Sequence, residues 1–227
     1  MTTPTADRPP ANPNPTAEIV AVWHTGPPDP AEYAAPVVVL LHGRGSDERD
    51  IIGLADLLPT GPRYVALRAP LAEGNGYAWF ANRGIGRPVA ESLAATTEWF
   101  ITWLDRVAGP TRPVVLVGFS GGATFAGGVA IAHPDRFAGL ATTYATLPFD
   151  AGVPVTPGRL EGLPVFLAHG SGDRVIPAEL QARTWEYLQH ESGAVLTARR
   201  SAGGHQLTRD DIEALGEWID SVVDHRS

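Results

Sequence analysis

Residues Val114-Val115-Leu116-Val117-Gly118-Phe119-Ser120-Gly121-Gly122-Ala123 decide the fold. The apolar, β-branched run reads as a buried strand. It ends in Gly-x-Ser-x-Gly, and small residues follow. Phe125, Val129 and Ile131 then recur at roughly helical spacing, and His133-Pro134 stops the pattern. A strand, a sharp turn and a helix together raise a serine at the C-terminal edge of a sheet, beside the free N–H groups of a helix N-terminus. Ser120 is therefore the candidate nucleophile. An ordinary Gly-rich loop is the competing reading in a chain with 25 glycines, so partners elsewhere must decide.

A serine hydroxyl needs a base within hydrogen-bond reach, and the base needs an orienting group. After a nucleophile on this kind of turn the chain order is Ser, then Asp or Glu, then His. His205 follows Ser201-Ala202-Gly203-Gly204, beyond a strand read at Ala194 to Arg199 and before a final helix from Thr208 to about Val223. That places it at the same sheet edge as Ser120. Asp173 lies in the loop Gly170-Ser171-Gly172-Asp173-Arg174-Val175-Ile176-Pro177, just past the apolar run Pro164 to Ala168. From there it can accept from one imidazole nitrogen of His205 and leave the other free for Ser120. Taken singly, Asp173 reads as a turn or cap residue, His169 as a strand-end residue and His190 as a cation near a helix C-terminus. His225 sits in a polar tail. Arrival of Ser120, Asp173 and His205 at three strand ends in the expected order favours catalysis.

Acyl transfer also needs donors for an oxyanion. One is the N–H of Gly121. The second is assigned to the N–H of Arg44, in the turn after the strand Val37 to Leu41 (Leu41-His42-Gly43-Arg44-Gly45), with a helix beginning near Asp47. The Arg44 side chain is expected to pair with a nearby carboxylate such as Asp47 or Glu48, or to point to solvent, with contact to an anionic substrate as the competing reading.

Four motifs in order, Leu41-His42-Gly43-x-Gly, Gly118-Phe119-Ser120-x-Gly, His169-Gly170-x-x-Asp173-x-x-Ile176-Pro177 and Gly203-Gly204-His205, resemble the phospholipase/carboxylesterase family of α/β-hydrolases. The resemblance runs from about Pro36 to Ile219 and takes in acyl-protein thioesterases and small bacterial carboxylesterases. It implies an α/β-hydrolase fold and a serine carboxylesterase acting on small or medium esters. It also implies that Leu67-Arg68-Ala69-Pro70 and Tyr77-Ala78-Trp79-Phe80 border an acyl pocket. Acyl-protein thioesterases usually carry Gln where Gly121 stands and an apolar residue where Arg44 stands, so the form here is more similar to the bacterial esterases.

The chain has 227 residues, 44% of them apolar, enough for one sizeable core. Alternating strand and helix patterns from residue 36 onward argue for an α/β fold with a doubly wound, mostly parallel sheet, helices on both faces and no large lid. A strand at Glu18 to His24 adds to one edge. Residues 1–16 read as a disordered Pro-rich tail, and 17–227 as a single domain. There is no cysteine, which excludes disulfides and thiolate metal sites and fits a cytoplasmic setting. No secretory signal and no run long enough to span a membrane is visible. A net charge of −8 with no basic run argues against nucleic acid as a partner. No zinc, P-loop or dinucleotide motif occurs, and the expected chemistry requires no metal or cofactor.

Substrate-binding residues are expected in two loops at the strand C-terminal ends. Tyr77, Trp79 and Phe80 in Leu71 to Arg87 suggest an apolar acyl wall, although they could equally be anchors for the loop. Leu147 in Tyr144 to Leu163 is a second candidate, and Gln206 and Leu207 should line the rim beside His205. Three other functions remain open on the same residues. One is thioesterase, lysophospholipase, lactonase or amidase activity. Another is acyl transfer to an acceptor other than water. The last is non-catalytic small-molecule binding. The sequence leaves a homodimer open.

Overall fold

The structure, a computed structural model, describes residues 18–26 and 35–224. The Pro-rich stretch 1–16 and His225 lie outside the described residues. A seven-stranded sheet has the order β1-β3-β2-β6-β7-β8-β9. The strands are β1 (Ala21–Trp23), β2 (Val37–Leu41), β3 (Arg63–Leu67), β6 (Val114–Phe119), β7 (Gly139–Thr143), β8 (Pro164–Gly170) and β9 (Val195–Ser201). All pairings are parallel except that of β1 with β3. The edge strand expected from Glu18 to His24 is therefore present in shorter form.

Alternation along β2 shows how the sheet is stabilised. Val37, Val39 and Leu41 enter one apolar core, whereas Val38 and Leu40 enter the other. The first core is closed by α2 (Ala90–Ala108) and α3 (Gly121–Ala132). Leu93, Phe100 and Leu104 of α2 recur at helical spacing on its buried side. The second core is closed by α5 (Arg209–Asp224), through Leu215, Trp218, Ile219 and Val222. Helix α3 is buried almost throughout, as its run of small and apolar residues requires. It stops at Ala132, ahead of Pro134, where the sequence pattern ends.

Two shorter helices complete the chain. Helix α1 (Glu48–Ile52) starts from Asp47, whose carboxylate accepts from the N–H groups of Arg49 and Asp50, and runs into a 3₁₀ turn at Gly53–Leu57. Helix α4 (Ala178–Glu186) follows Pro177. The segment Leu71 to Arg87, expected as a loop, contains a hairpin of β4 (Leu71–Glu73) and β5 (Gly76–Ala78). The connection from β7 to β8 holds no helix, and among the described residues no large lid covers the sheet edge. Among the described residues no helix is long and apolar enough to cross a membrane.

Candidate active site

After β2 the chain moves outward to β3, and after β6 it moves the opposite way to β7. The C-terminal ends of β2 and β6 therefore flank a topological switch point, where open α/β sheets leave a crevice for ligands. Leu41 pairs with Gly118, so the loop after β2 and the turn after β6 leave the sheet side by side.

Ser120 tops the β6 turn with φ 52° and ψ −120°, a left-handed conformation that costs a serine on the order of 1–3 kcal/mol. Hydrogen bonds on both sides hold it there. Its N–H donates to Thr143 O at 2.9 Å, and its carbonyl accepts from Ala123 and Thr124, both at 3.0 Å. Close approach explains the flanking glycines. A Cβ on Gly118 would stand 2.4 Å from Ala123 Cα, and one on Gly122 would stand 2.2 Å from Leu41 O.

His205 Nε2 lies 2.8 Å from Ser120 Oγ, and His205 Nδ1 lies 2.8 Å from Asp173 Oδ2. A carboxylate can only accept, so Nδ1 carries the proton and Nε2 is left to accept from the serine hydroxyl. The Asp173 side chain is 1% exposed. Its other oxygen accepts from the N–H groups of Val175 and Ile176 at 2.7 and 3.1 Å. One carboxylate oxygen of Asp173 thus closes the turn and the other meets His205. Burial pushes this carboxyl up, but the bonds from His205, Ile176 and Val175 outweigh burial and hold it below the usual carboxylate range. The rings of Phe119 and Tyr144 pack on His205 at centroid separations of 5.2 and 6.1 Å.

Two supports of this chain of bonds lie outside the residues expected to act. Tyr144, fully buried with φ 53°, donates from its hydroxyl to Asp211 at 2.7 Å. Asp211 also accepts from the N–H and hydroxyl of Thr208, anchoring the end of the His205 loop to α5. Gly170 is the other: a Cβ there would stand 2.4 Å from Gly203 O, so only glycine lets the His205 loop lie against β8.

Arg44 stands next to this arrangement. The loop's backbone bonds run from Gly45 N–H to Tyr77 O and from Ser46 N–H to Gly43 O, leaving the Arg44 N–H out. Arg44 N is 3.3 Å from where a Cβ on Gly121 would be, and Gly121 opens α3, where N–H groups have no intrahelical acceptor. His42 fixes the loop from below. Its Nε2 accepts from Ala69 N–H at 3.1 Å, its Nδ1 donates to Gly43 O at 2.7 Å, and its carbonyl accepts from Trp79 Nε1 at 2.9 Å. Burial lowers the His42 pKa, in keeping with a neutral ring that both donates and accepts.

A cleft of about 550 Å³ opens over Ser120 and His205. Gln206 and Leu207 line it. The sequence expectation for the acyl wall is corrected. Tyr77, Trp79, Phe80 and Leu147 do not line this cleft. Trp79 is buried and stacked on Phe125 at 4.8 Å, Phe80 and Leu147 are buried in the same core, and Arg68 sits 4.7 Å over the Tyr77 ring. The apolar wall is made instead by Ile51, Leu54 and Leu57, with Phe119 and Leu207. In the sequence Ile51, Leu54 and Leu57 recur at a spacing of three, which puts them on one side of the turn that follows α1. The Arg44 side chain is also corrected: its guanidinium binds the Glu73 carboxylate through Nε and Nη2, while Glu48 is buried against Arg68. His169 is buried with Nε2 on Ala145 O, and His190 is exposed in the turn after α4, so neither joins Ser120. Among the described residues no three His, Asp or Glu gather to hold a metal ion.

The phospholipase/carboxylesterase family model matches residues 28–223. The chain belongs to that family. Among relatives of this hydrolase, the Bacillus subtilis (strain 168) protein named "Putative hydrolase MhqD" is 26% identical over 191 residues, covering 82% of this chain and 94% of the relative. The Bacillus cereus carboxylesterase shares the fold with a TM-score of 0.78 at 24% identity, over 91% of this chain and 96% of that one. A Mesorhizobium loti carboxylesterase superposes with a TM-score of 0.72 at 22% identity, over 83% and 91% of the two chains.

Proposed function

We propose that this family member is a serine carboxylesterase that hydrolyses small or medium esters through an acyl-enzyme on Ser120. The observation that carries the reading is the pair of 2.8 Å bonds joining Ser120, His205 and Asp173 at the mouth of an apolar cleft. Ser120 Oγ attacks the ester carbonyl while His205 Nε2 takes its proton. The N–H groups of Gly121 and Arg44 receive the oxyanion, and the neighbouring positions of these two residues support that role. His205 then returns the proton to the leaving alcohol. Water, deprotonated by the same nitrogen, clears the acyl group. Asp173 stays ionised throughout and stabilises the imidazolium. This chemistry requires no metal or cofactor. The cysteine-free composition supports a cytoplasmic setting.

Ile51, Leu54, Leu57 and Leu207 give one half of the ester an apolar wall of limited length. A panel of p-nitrophenyl esters from acetate to palmitate tests this. The expected profile peaks at short or medium chains and disappears in Ser120→Ala. Equal kcat/KM along the panel, or turnover that survives Ser120→Ala, would contradict the proposal.

A further inference from the structure

Besides the two imidazoles, Arg44 and Asp50 are the charged side chains that line the cleft. Arg44 is already engaged. Nε and Nη2 donate to the two Glu73 oxygens, and Nη1 donates to Phe80 O at 3.1 Å. Asp50 accepts from Ser46 Oγ at 2.6 Å, leaving its charge in place. The Arg44 side chain begins beside the nucleophile, since a Cβ on Gly121 would lie 3.3 Å from Arg44 Cβ.

Glu73 is delivered by β4, and its hairpin is fastened to the same loop. Gly45 N–H donates to Tyr77 O and Tyr77 N–H to Ser46 O, both at 2.9 Å. A guanidinium fork on a residue that lines a site is a ready receptor for a carboxylate, which it grips with two parallel bonds. Here the chain supplies that carboxylate itself.

We propose that Glu73, by occupying the Arg44 guanidinium, sets the charge selectivity of the cleft: uncharged esters are accepted, and esters carrying a carboxylate of their own are turned away. The inference rests on the esterase reading of Ser120. With the Arg44–Glu73 pair neutral, Asp50 is, among the described residues, the carboxylate that lines the cleft, and it repels an incoming anion. The side chains of Arg44 and Glu73 are 32% and 40% exposed, so in Glu73→Gln a substrate anion can reach the guanidinium.

The test uses isosteric pairs. Monoethyl succinate against ethyl 4-methylpentanoate varies the acyl half, and O-butyrylglycolate against isobutyl butyrate varies the alcohol half. The readout is the ratio of kcat/KM, anionic over neutral, in wild type, Glu73→Gln and the double variant Glu73→Gln/Arg44→Gln. In Glu73→Gln at least one ratio should rise about tenfold at low salt and shrink as ionic strength increases. In the double variant the ratio should fall back to the wild-type value or below. A purely structural role for Glu73 would lower both members of a pair together and leave the ratios unmoved, which overturns the proposal. So would a wild type that already prefers the anionic esters. Absence of turnover on the neutral esters in wild type would instead sink the esterase reading, so the two failures are distinguishable.

Discussion

Replacing Gly170 with alanine should damage catalysis through a residue that touches no substrate. A Cβ there would stand 2.4 Å from Gly203 O, 2.5 Å from Gly204 O and 2.9 Å from Tyr144 Cε1. Carbon and carbonyl oxygen sit at about 3.3 Å or more in ordinary contact, so the 203–204 loop must retreat by roughly 0.8–0.9 Å. Tyr144 cannot give way instead, because it is fully buried and tied to Asp211. His205 is the next residue of the loop. A shift of that size takes its 2.8 Å bond to Ser120 beyond hydrogen-bond range. A misplacement near 1 Å costs catalysis about 100-fold, and overpacking costs about 1–3 kcal/mol of stability. Gly204→Ala is the control: its Cβ would meet Gly172 O at an ordinary 3.9 Å, and a stability change within about 0.5 kcal/mol is expected. Hydrolysis of p-nitrophenyl butyrate and urea unfolding midpoints read both effects. Wild-type activity in Gly170→Ala, or equal damage in Gly204→Ala, would refute the reasoning.

Asp173→Asn separates orientation from folding. Asparagine keeps one oxygen for the Val175 and Ile176 N–H groups but turns an NH₂ toward His205 Nδ1, forcing the wrong tautomer. The expected loss in kcat is about 10⁴-fold, with a much smaller stability change than in Asp173→Ala. An Asp173→Asn enzyme with wild-type kcat would remove Asp173 from the mechanism. His169 governs part of the acid limb of stability. Burial lowers its pKa from 6.5 to about 4, so its contribution is complete above pH 6.5 and is lost as pH falls toward 4. That amounts to roughly 3 kcal/mol, less whatever the native state relaxes. Denaturation curves between pH 7 and 4 should be flatter for His169→Asn than for wild type, and parallel curves would refute this. His42, also lowered by burial, keeps some slope in the variant.

What the sequence made legible was carried by local grammar. The β6 run, the glycines about Ser120 and the Ser, Asp, His order placed three side chains within 2.8 Å contacts, because each follows a strand whose end is fixed by the sheet. The cleft wall was not legible, for a different reason. An aromatic in a polar loop looks the same whether it faces substrate or core. Trp79 faces the core because Phe125, on the helix after the nucleophile, offers it a stacking partner, and no local pattern encodes that pairing. Arg44 likewise had nearby acids in Asp47 and Glu48. Asp47 was taken by the α1 cap and Glu48 by Arg68, and the hairpin brought Glu73 into reach. Gly170 stood in a motif, but the reason for a glycine there was not readable, because its constraint is the carbonyl of another loop.

Ser120 as nucleophile is tested most directly by a fluorophosphonate probe and peptide mass spectrometry. One phosphonyl adduct on the peptide holding Ser120 is expected in the wild-type protein, with labelling abolished in Ser120→Ala and strongly slowed in His205→Ala. Undiminished labelling of Ser120→Ala, or an adduct on another residue of the wild type, would contradict it.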